Sequence, residues 1–78
     1  MEYGFITFRS VTVAQRAERS LGKSGISCTL QRTPKYMAER GCSYCLRLRQ
    51  RNMDGALAVL KRENIPISKV WDGEEMVP

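Results

Sequence analysis

The sequence predicts an α+β fold: one antiparallel sheet of four strands with two helices on one face. Four segments are apolar or alternating, as is typical of strands, and two segments between them repeat apolar residues at helical spacing. Their order is β-α-β-β-α-β, the ferredoxin-like arrangement, whose usual strand order is 4-1-3-2. The length suits a single small domain, residues 1–78.

The first half of the chain predicts a strand, a helix and a second strand. Residues 3–8 are aromatic and β-branched and predict the first strand. Ser10 or Thr12 can cap the helix that follows, and Gly25 suits its C-terminal end. Residues 26–32 alternate and predict the second strand. The residues expected to face the core are Val13, Ala14, Ala17, Leu21, Ile26, Cys28 and Leu30.

The second half predicts another helix between a third and a fourth strand. Asn52 is expected to cap this helix and Asn64 to end it. Its core-facing residues are Met53, Ala56, Leu57, Val59 and Leu60. Residues 65–71 predict a fourth strand at the sheet edge, because Pro66 cannot donate a ladder hydrogen bond. Residues 72–78 are expected to form a flexible acidic tail.

A pair of cysteines, Cys42 and Cys45, stands at the start of the third strand, residues 44–49. The strand alternates, with Tyr44, Leu46 and Leu48 toward the core and Cys45, Arg47 and Arg49 on the opposite, polar face. A thiolate is the reactive form of cysteine, and nearby cations such as Arg40 and Arg47 favour it. The chain contains no histidine, so an imidazole base is excluded.

The predicted topology places Cys42 near the start of the first helix, around Ser10 and Thr12. The loop between the second and third strands lies at the end of the sheet where the first strand ends. The third strand pairs with the first, so this loop comes close to the helix start. Free backbone N–H groups and the positive end of the helix dipole favour anions there. They would add to the arginines in stabilising a thiolate.

Three interpretations of the cysteine pair remain open. Zinc needs four ligands, and the chain offers only the pair and Cys28. Dithiol redox chemistry normally places such a pair at the start of a helix, whereas a strand follows here. The third interpretation is sulfur carriage on one activated cysteine, which requires no cofactor. Cys28 alternates with apolar residues and is expected to be a buried small hydrophobe.

Positive charge is concentrated around these cysteines. The chain has a net charge of +5, and residues 31–51 alone sum to +5, with six basic residues against Glu39. This basic segment has three interpretations. It is a solvated arginine-rich segment, a set of cations that tunes a thiol, or a site for an anionic partner such as RNA.

The first strand also resembles a nucleic-acid-binding motif. Tyr3, Phe5 and Phe8 lie in a run similar to the RNP1 motif of RNA recognition motifs, whose aromatic residues stack on bases. That motif lies on the third strand of its fold and not on the first. We therefore expect only weak, non-specific nucleic-acid binding. An RNA-binding module or a non-catalytic interaction domain is the alternative function.

The sequence also bears on location. Its apolar stretches are too short to span a membrane. The first residues lack the basic region of a signal peptide. Three cysteines form no framework of paired disulfides. These observations favour the reducing cytoplasm.

A longer resemblance extends over most of the chain. It is carried, in order, by Ile6, Thr7, Phe8, Ser10, Ala14, Ala17, Glu18, Leu21, Gly25, Ile26, Thr33, Pro34, Gly41, Cys42, Tyr44, Leu46 and Arg47. This pattern resembles the selenium/sulfur carrier-like family of small bacterial proteins. The family's cysteine maps onto Cys42, although the glycine that usually follows is Ser43 here.

The resemblance implies a carrier, which would not turn over on its own. Cys42 would accept sulfur or selenium, as a persulfide or perselenide, from a donor such as a cysteine desulfurase. It would then pass the atom to an acceptor enzyme. Cys45 is expected to modulate this transfer as a resolving thiol, by cleaving the persulfide and leaving a disulfide.

Overall fold

Five strands and two helices make up the part of the chain that the computed structural model describes, residues 3–33, 44–72 and 75–77. In chain order they are β1 (Tyr3–Phe8), α1 (Val11–Lys23), β2 (Cys28–Arg32), β3 (Tyr44–Arg49), a single 3-10 turn (Gln50–Asn52), α2 (Met53–Arg62), β4 (Lys69–Asp72) and β5 (Glu75–Val77). Neither helix is long and apolar enough to cross a membrane, as judged over these described ranges.

The strands form one sheet in the order β2-β3-β1-β4-β5. Each neighbouring pair is antiparallel. The first four strands have the predicted ferredoxin-like order, so the α+β prediction is confirmed. β5 is an addition to that arrangement. β1 lies at the centre and pairs with β3 on one side and β4 on the other.

The prediction of an edge strand at residues 65–71 is wrong in two respects. The strand begins at Lys69, so Pro66 precedes it and takes no part in the ladder. β4 also has a strand on each side, because Glu75–Val77 pairs with it. Residues 75–77, expected to belong to the tail, therefore form an antiparallel hairpin with β4.

The core lies between the sheet and the two helices. Its buried members are Ile6, Phe8, Ala14, Ala17, Leu21, Leu46, Leu48, Ala56, Val59, Leu60 and Ile65. Partly buried residues that pack against it are Val13, Ile26, Cys28, Leu30, Tyr44, Met53 and Leu57. Alanine at the contact positions of both helices leaves little side chain between helix and sheet, so the larger residues of β1 and β3 fill the layer. The predicted core faces are confirmed.

Both helices end in the same hydrogen-bonded motif. After α1, Gly25 has a φ of +80°, and the Ile26 N–H donates to the Leu21 carbonyl at 2.9 Å. After α2, Asn64 has a φ of +57°, and the Ile65 N–H donates to the Leu60 carbonyl at 2.9 Å. This is the Schellman motif, in which a left-handed residue turns the chain and returns an apolar residue to the core. The predictions for Gly25 and Asn64 are confirmed.

The helix starts differ from each other. Ser10 caps α1, and its hydroxyl accepts a hydrogen bond from the Val13 N–H at 3.2 Å. Asn52 occupies the corresponding position before α2 but makes no side-chain cap. The reason is that the 3-10 turn Gln50–Asn52 leads directly into the helix, so Asn52 already has helical φ and ψ angles. The prediction of an Asn52 side-chain cap is therefore wrong.

Gly4 allows a close approach inside the sheet. A Cβ atom there would lie 2.5 Å from the Cε of Met53 and 2.9 Å from the carbonyl oxygen of Trp71. The methionine is flexible, but the carbonyl belongs to the paired backbone of β4. Glycine is unfavourable in most strands because it offers no side chain to pack. Here the missing side chain is what lets α2 and β4 reach β1.

Candidate functional site

The structure defines the surroundings of the predicted thiol site, while Cys42 and Arg40 themselves lie outside the described residues. β3 begins at Tyr44, which pairs with Phe8 at the end of β1. Two residues after Phe8, Ser10 caps the N-terminal end of α1. The chain thus enters β3 beside the N-terminal end of α1, as the topology predicted. The position of Cys42 at this end remains a prediction.

The N-terminal end of α1 is already partly satisfied. The Ser10 hydroxyl is used for the helix cap, and the Ser10 carbonyl accepts from the Ala14 N–H at 3.1 Å. Thr12 is exposed in the first turn. This first turn contains no acidic residue. The positive end of the helix dipole is therefore not neutralised by a side chain of its own first turn.

A basic cavity that sequence reasoning missed lies at the same end of the sheet. It has a volume of about 490 Å³ and is lined by Arg9, Val13, Pro66, Ile67, Ser68 and Lys69. Arg9 follows β1, whereas Lys69 begins β4, and the pairing of Thr7 with Lys69 brings them together. The two cations are far apart in sequence, so only the sheet order could have indicated the cavity. It would attract an anionic group approaching this end.

Thr7 fixes one wall of this cavity. Its carbonyl accepts from the Ser68 N–H at 2.8 Å. Its hydroxyl accepts from the Lys69 N–H at 3.0 Å. Thr7 is also completely buried. A buried residue with both polar groups engaged holds the start of β4 in a defined position relative to β1.

Cys45 is less accessible than its place on the polar face suggested. It lies opposite Thr7 and Gln31 in the sheet and is 0% exposed. Its thiol donates at 4.0 Å to the Arg32 carbonyl oxygen. Burial raises the pKa of the Cys45 thiol above its ordinary value.

A neighbouring hydroxyl acts in the opposite direction. Hydrogen bonding from Thr33 lowers the pKa of Cys45, but this effect is smaller than that of burial. The contact is weak, because the buried Thr33 Oγ1 has no partner in good hydrogen-bond geometry among the described residues. Cys45 therefore favours the protonated and unreactive form in this conformation.

Cys28 lies on the other face of the sheet, beside the helices. It is half-buried and packs against the core, so it is more accessible than the buried hydrophobe we expected. Burial raises the pKa of its thiol, and the negative charge of Glu18 raises it further. Both effects disfavour the thiolate.

The structure does not bring Cys28 and Cys45 together. Cys28 pairs with Leu48 on the helix-covered face, whereas Cys45 pairs with Gln31 on the opposite face. The sheet separates their side chains, so they cannot share one metal ion in this fold. No group of histidine, cysteine, aspartate or glutamate that could hold a metal ion occurs among the residues the structure describes.

Arg47 contacts an aromatic ring. Its guanidinium lies 4.8 Å from the centre of the Tyr3 ring, and that of Arg49 lies 5.4 Å from the same centre. Tyr3 begins β1, opposite the end of β3. These contacts lie toward the end of the sheet away from the start of β3 and the α1 N-terminus. Arg47 is therefore oriented toward Tyr3, and its predicted effect on the Cys42 thiol stays a prediction.

Comparison with known proteins identifies the family. No curated protein and no solved structure matches the chain. One family model does match, over residues 3–72, and its description is "Putative Se/S carrier protein-like". The match covers all the strands and helices that carry the site, from β1 through β4. The chain belongs to this Se/S carrier protein-like family.

Proposed function

We propose that the protein carries sulfur or selenium on Cys42, as a persulfide or perselenide, between a donor protein and an acceptor enzyme. Membership of the Se/S carrier protein-like family, matched over residues 3–72, is the observation that carries this proposal. The matched range includes Cys42 and the basic end of the sheet beside the α1 N-terminus. An enzyme activity of the chain itself is not needed for this function.

Comparison of the three thiols supports the choice of Cys42. The pKa values of Cys28 and Cys45 are both raised by burial, and Cys45 is fully covered. A sulfur carrier needs a thiolate that a donor's active site can reach. Cys42 comes two residues before β3 and follows Arg40 closely in sequence. Arg40 favours the charged form of Cys42.

The loading step conserves atoms and electrons. The Cys42 thiolate attacks the outer sulfur of a persulfide on the donor protein. The S–S bond of the donor breaks, a new S–S bond forms on Cys42, and the donor cysteine leaves as a thiolate. No external oxidant or reductant is consumed. Selenium would transfer in the same way from a perselenide on the donor cysteine, whose S–Se bond breaks as a new S–Se bond forms on Cys42. Arg9 and Lys69 line the cavity at this end. Their positive charges would help to attract negatively charged groups of the donor and acceptor proteins.

Cys45 would act only after a local rearrangement. As a resolving thiol it would have to attack the Cys42 sulfur and release the outer atom, leaving a disulfide. Its thiol is buried in the described conformation, and burial raises its pKa and so disfavours the attacking thiolate. The modulating role is therefore compatible with the structure only if the start of β3 opens.

The test is transfer from a donor followed by intact mass spectrometry. The protein is incubated with a cysteine desulfurase and cysteine, without added reductant, and the mass is compared with that of three variants. We expect the parent, Cys28→Ala and Cys45→Ala to gain the mass of one sulfur atom, and Cys42→Ser to gain none. The persulfide of Cys45→Ala should last longer than that of the parent. Loading of Cys42→Ser, or failure of Cys45→Ala to load, would contradict the assignment.

A further inference from the structure

The face of the sheet opposite the helices carries a surface that the proposed sulfur chemistry does not use. The alternation of β1 and β3 places Tyr3, Phe5, Arg47 and Arg49 on this face, and the pairing of Phe5 with Trp71 adds the indole from β4. We call these five residues the aromatic platform. They lie toward the start of β1, whereas the predicted thiol site lies at its end.

The platform combines aromatic rings with cations. Tyr3, Phe5 and Trp71 are half-buried, so each ring is held by the sheet but retains accessible surface. Arg47 and Arg49 are exposed, and both guanidinium groups lie within 5.4 Å of the centre of the Tyr3 ring. Phe5 is paired with Arg47 on one side and Trp71 on the other. The register thus places flat groups near one another on three neighbouring strands.

The charge on this face has one sign. The register places Arg47, Arg49 and Lys69 on it, together with uncharged residues. No acidic side chain falls on this face within the described parts of β1 to β4. An acidic peptide would match the cations but would not use the row of rings. Unpaired bases linked by phosphates match both features, because bases stack on rings and guanidinium planes while phosphates contact arginine.

We propose that the aromatic platform binds single-stranded RNA. Bases stack on the Phe5 and Trp71 rings and on the guanidinium groups that lie over Tyr3. The N–H groups of Arg47 and Arg49 contact phosphates. Thr29 on β2 is exposed and pairs with Arg47 in the sheet. Its hydroxyl can form a hydrogen bond with a ribose 2′-hydroxyl, which DNA lacks. This function is independent of Cys42. It also goes beyond the weak, purely electrostatic binding that the sequence predicts.

The experiment is a titration of the full chain with a short unstructured RNA, in which tryptophan fluorescence measures binding. Trp71 is the only tryptophan, so quenching of its emission reports stacking directly. The same sequence as DNA and an RNA duplex are titrated in parallel. We expect the single-stranded RNA to bind most tightly and to quench Trp71. Equal binding by the DNA would contradict the RNA assignment, and equal binding by the duplex would contradict stacking.

Two variants test the stacking and phosphate contacts separately. Phe5→Leu keeps an apolar side chain and should weaken binding roughly five- to 100-fold through loss of one stacked base. The double variant Arg47→Gln, Arg49→Gln should reduce the slope of log affinity against log salt concentration by about 1.4. Each phosphate contact on a single strand contributes about 0.7 to that slope. Circular dichroism confirms that each variant is folded.

A matched control separates the platform from net charge. Arg19→Gln with Lys23→Gln removes two exposed positive charges from α1, which lies on the other face of the sheet. This control should retain most of the affinity and quench Trp71 as the parent does. If it weakens binding as much as the Arg47 and Arg49 pair does, or if Phe5→Leu binds like the parent, the proposal is wrong.

Discussion

The guanidinium of Arg47 lies 4.8 Å from the centre of the Tyr3 ring, although the two residues are not direct partners in the sheet. Arg49, which is the direct partner of Tyr3, lies over the same ring. The two arginines are therefore held at the start of β1. Arg47 and Arg49 therefore belong to the aromatic platform, whereas Arg9 and Lys69 lie at the opposite end of β1. The sheet thus has two basic regions, one at each end of β1.

We expect Cys42 to be the fastest of the three thiols to be alkylated and Cys45 the slowest. The sequence predicts Cys28 as the buried thiol, but Cys45 is fully buried and Cys28 only half-buried. Both have a raised pKa, so both react through a small thiolate fraction. Peptide mapping after timed iodoacetamide labelling at several pH values checks the order. Labelling of Cys45 before Cys28 in the folded protein would contradict it.

Stability should fall at alkaline pH in a way that depends on Cys45. Its pKa is raised by burial, so the folded protein holds the thiol proton more tightly than the unfolded chain. That contribution is fully present below the ordinary thiol pKa and is lost as pH rises through the raised value. The urea midpoint of the parent should therefore drop more between about pH 7 and about pH 10 than that of Cys45→Ala. Other titrating groups are common to both proteins and cancel. Equal drops would show that burial does not perturb this thiol.

Gly4→Ala should destabilise the protein by about 1–3 kcal/mol, because the added methyl group meets the Trp71 carbonyl and the Met53 side chain. Gly22→Ala is the matched control. Its Cβ would meet nothing within 4 Å, and Gly22 lies inside α1. Alanine there should stabilise by roughly 0.5–1 kcal/mol through helix propensity. Urea unfolding of both variants measures the difference, and a shift of the same sign in both would contradict the close approach at β1.

Asn64 should tolerate glycine and resist alanine. Its φ of +57° is a left-handed conformation that costs an ordinary residue about 1–2 kcal/mol. We expect Asn64→Ala to lower the free energy of unfolding by about 1 kcal/mol and Asn64→Gly to leave it unchanged or raise it. Thermal melts of the two variants are compared. Equal melting temperatures would mean that the end of α2 relaxes out of the Schellman motif.

The parts of the fold that depend on local chemistry could be predicted from the sequence. The ends of both helices require a residue with positive φ, and Gly25 and Asn64 supply it. β3 was predicted with its observed ends because its alternation is regular. β5 was not predicted, since a short acidic segment becomes a strand only through pairing with β4. Such pairing is a tertiary property that no local pattern encodes.

The candidate site was less predictable for the same reason. Alternation indicated which face of β3 carries Cys45 but not that this position would be buried. The cavity between Arg9 and Lys69 depends on the pairing of two strands from opposite halves of the chain. The RNP1-like run appeared misplaced because it is on the first strand. The central position of β1 nevertheless places its aromatic residues beside the arginines of β3.

The central position of β1 also has a consequence for biosynthesis. β1 is made first, but its two partners are β3 and β4, and Phe5 pairs with Trp71. The middle of the sheet therefore cannot close until residue 72 has left the ribosome. Until then β1 can pair with β3 but lacks β4, so one of its edges stays open to chaperones. Contacts of such long sequence separation also slow folding. We expect this domain to fold after translation has passed β4 and not progressively as it emerges.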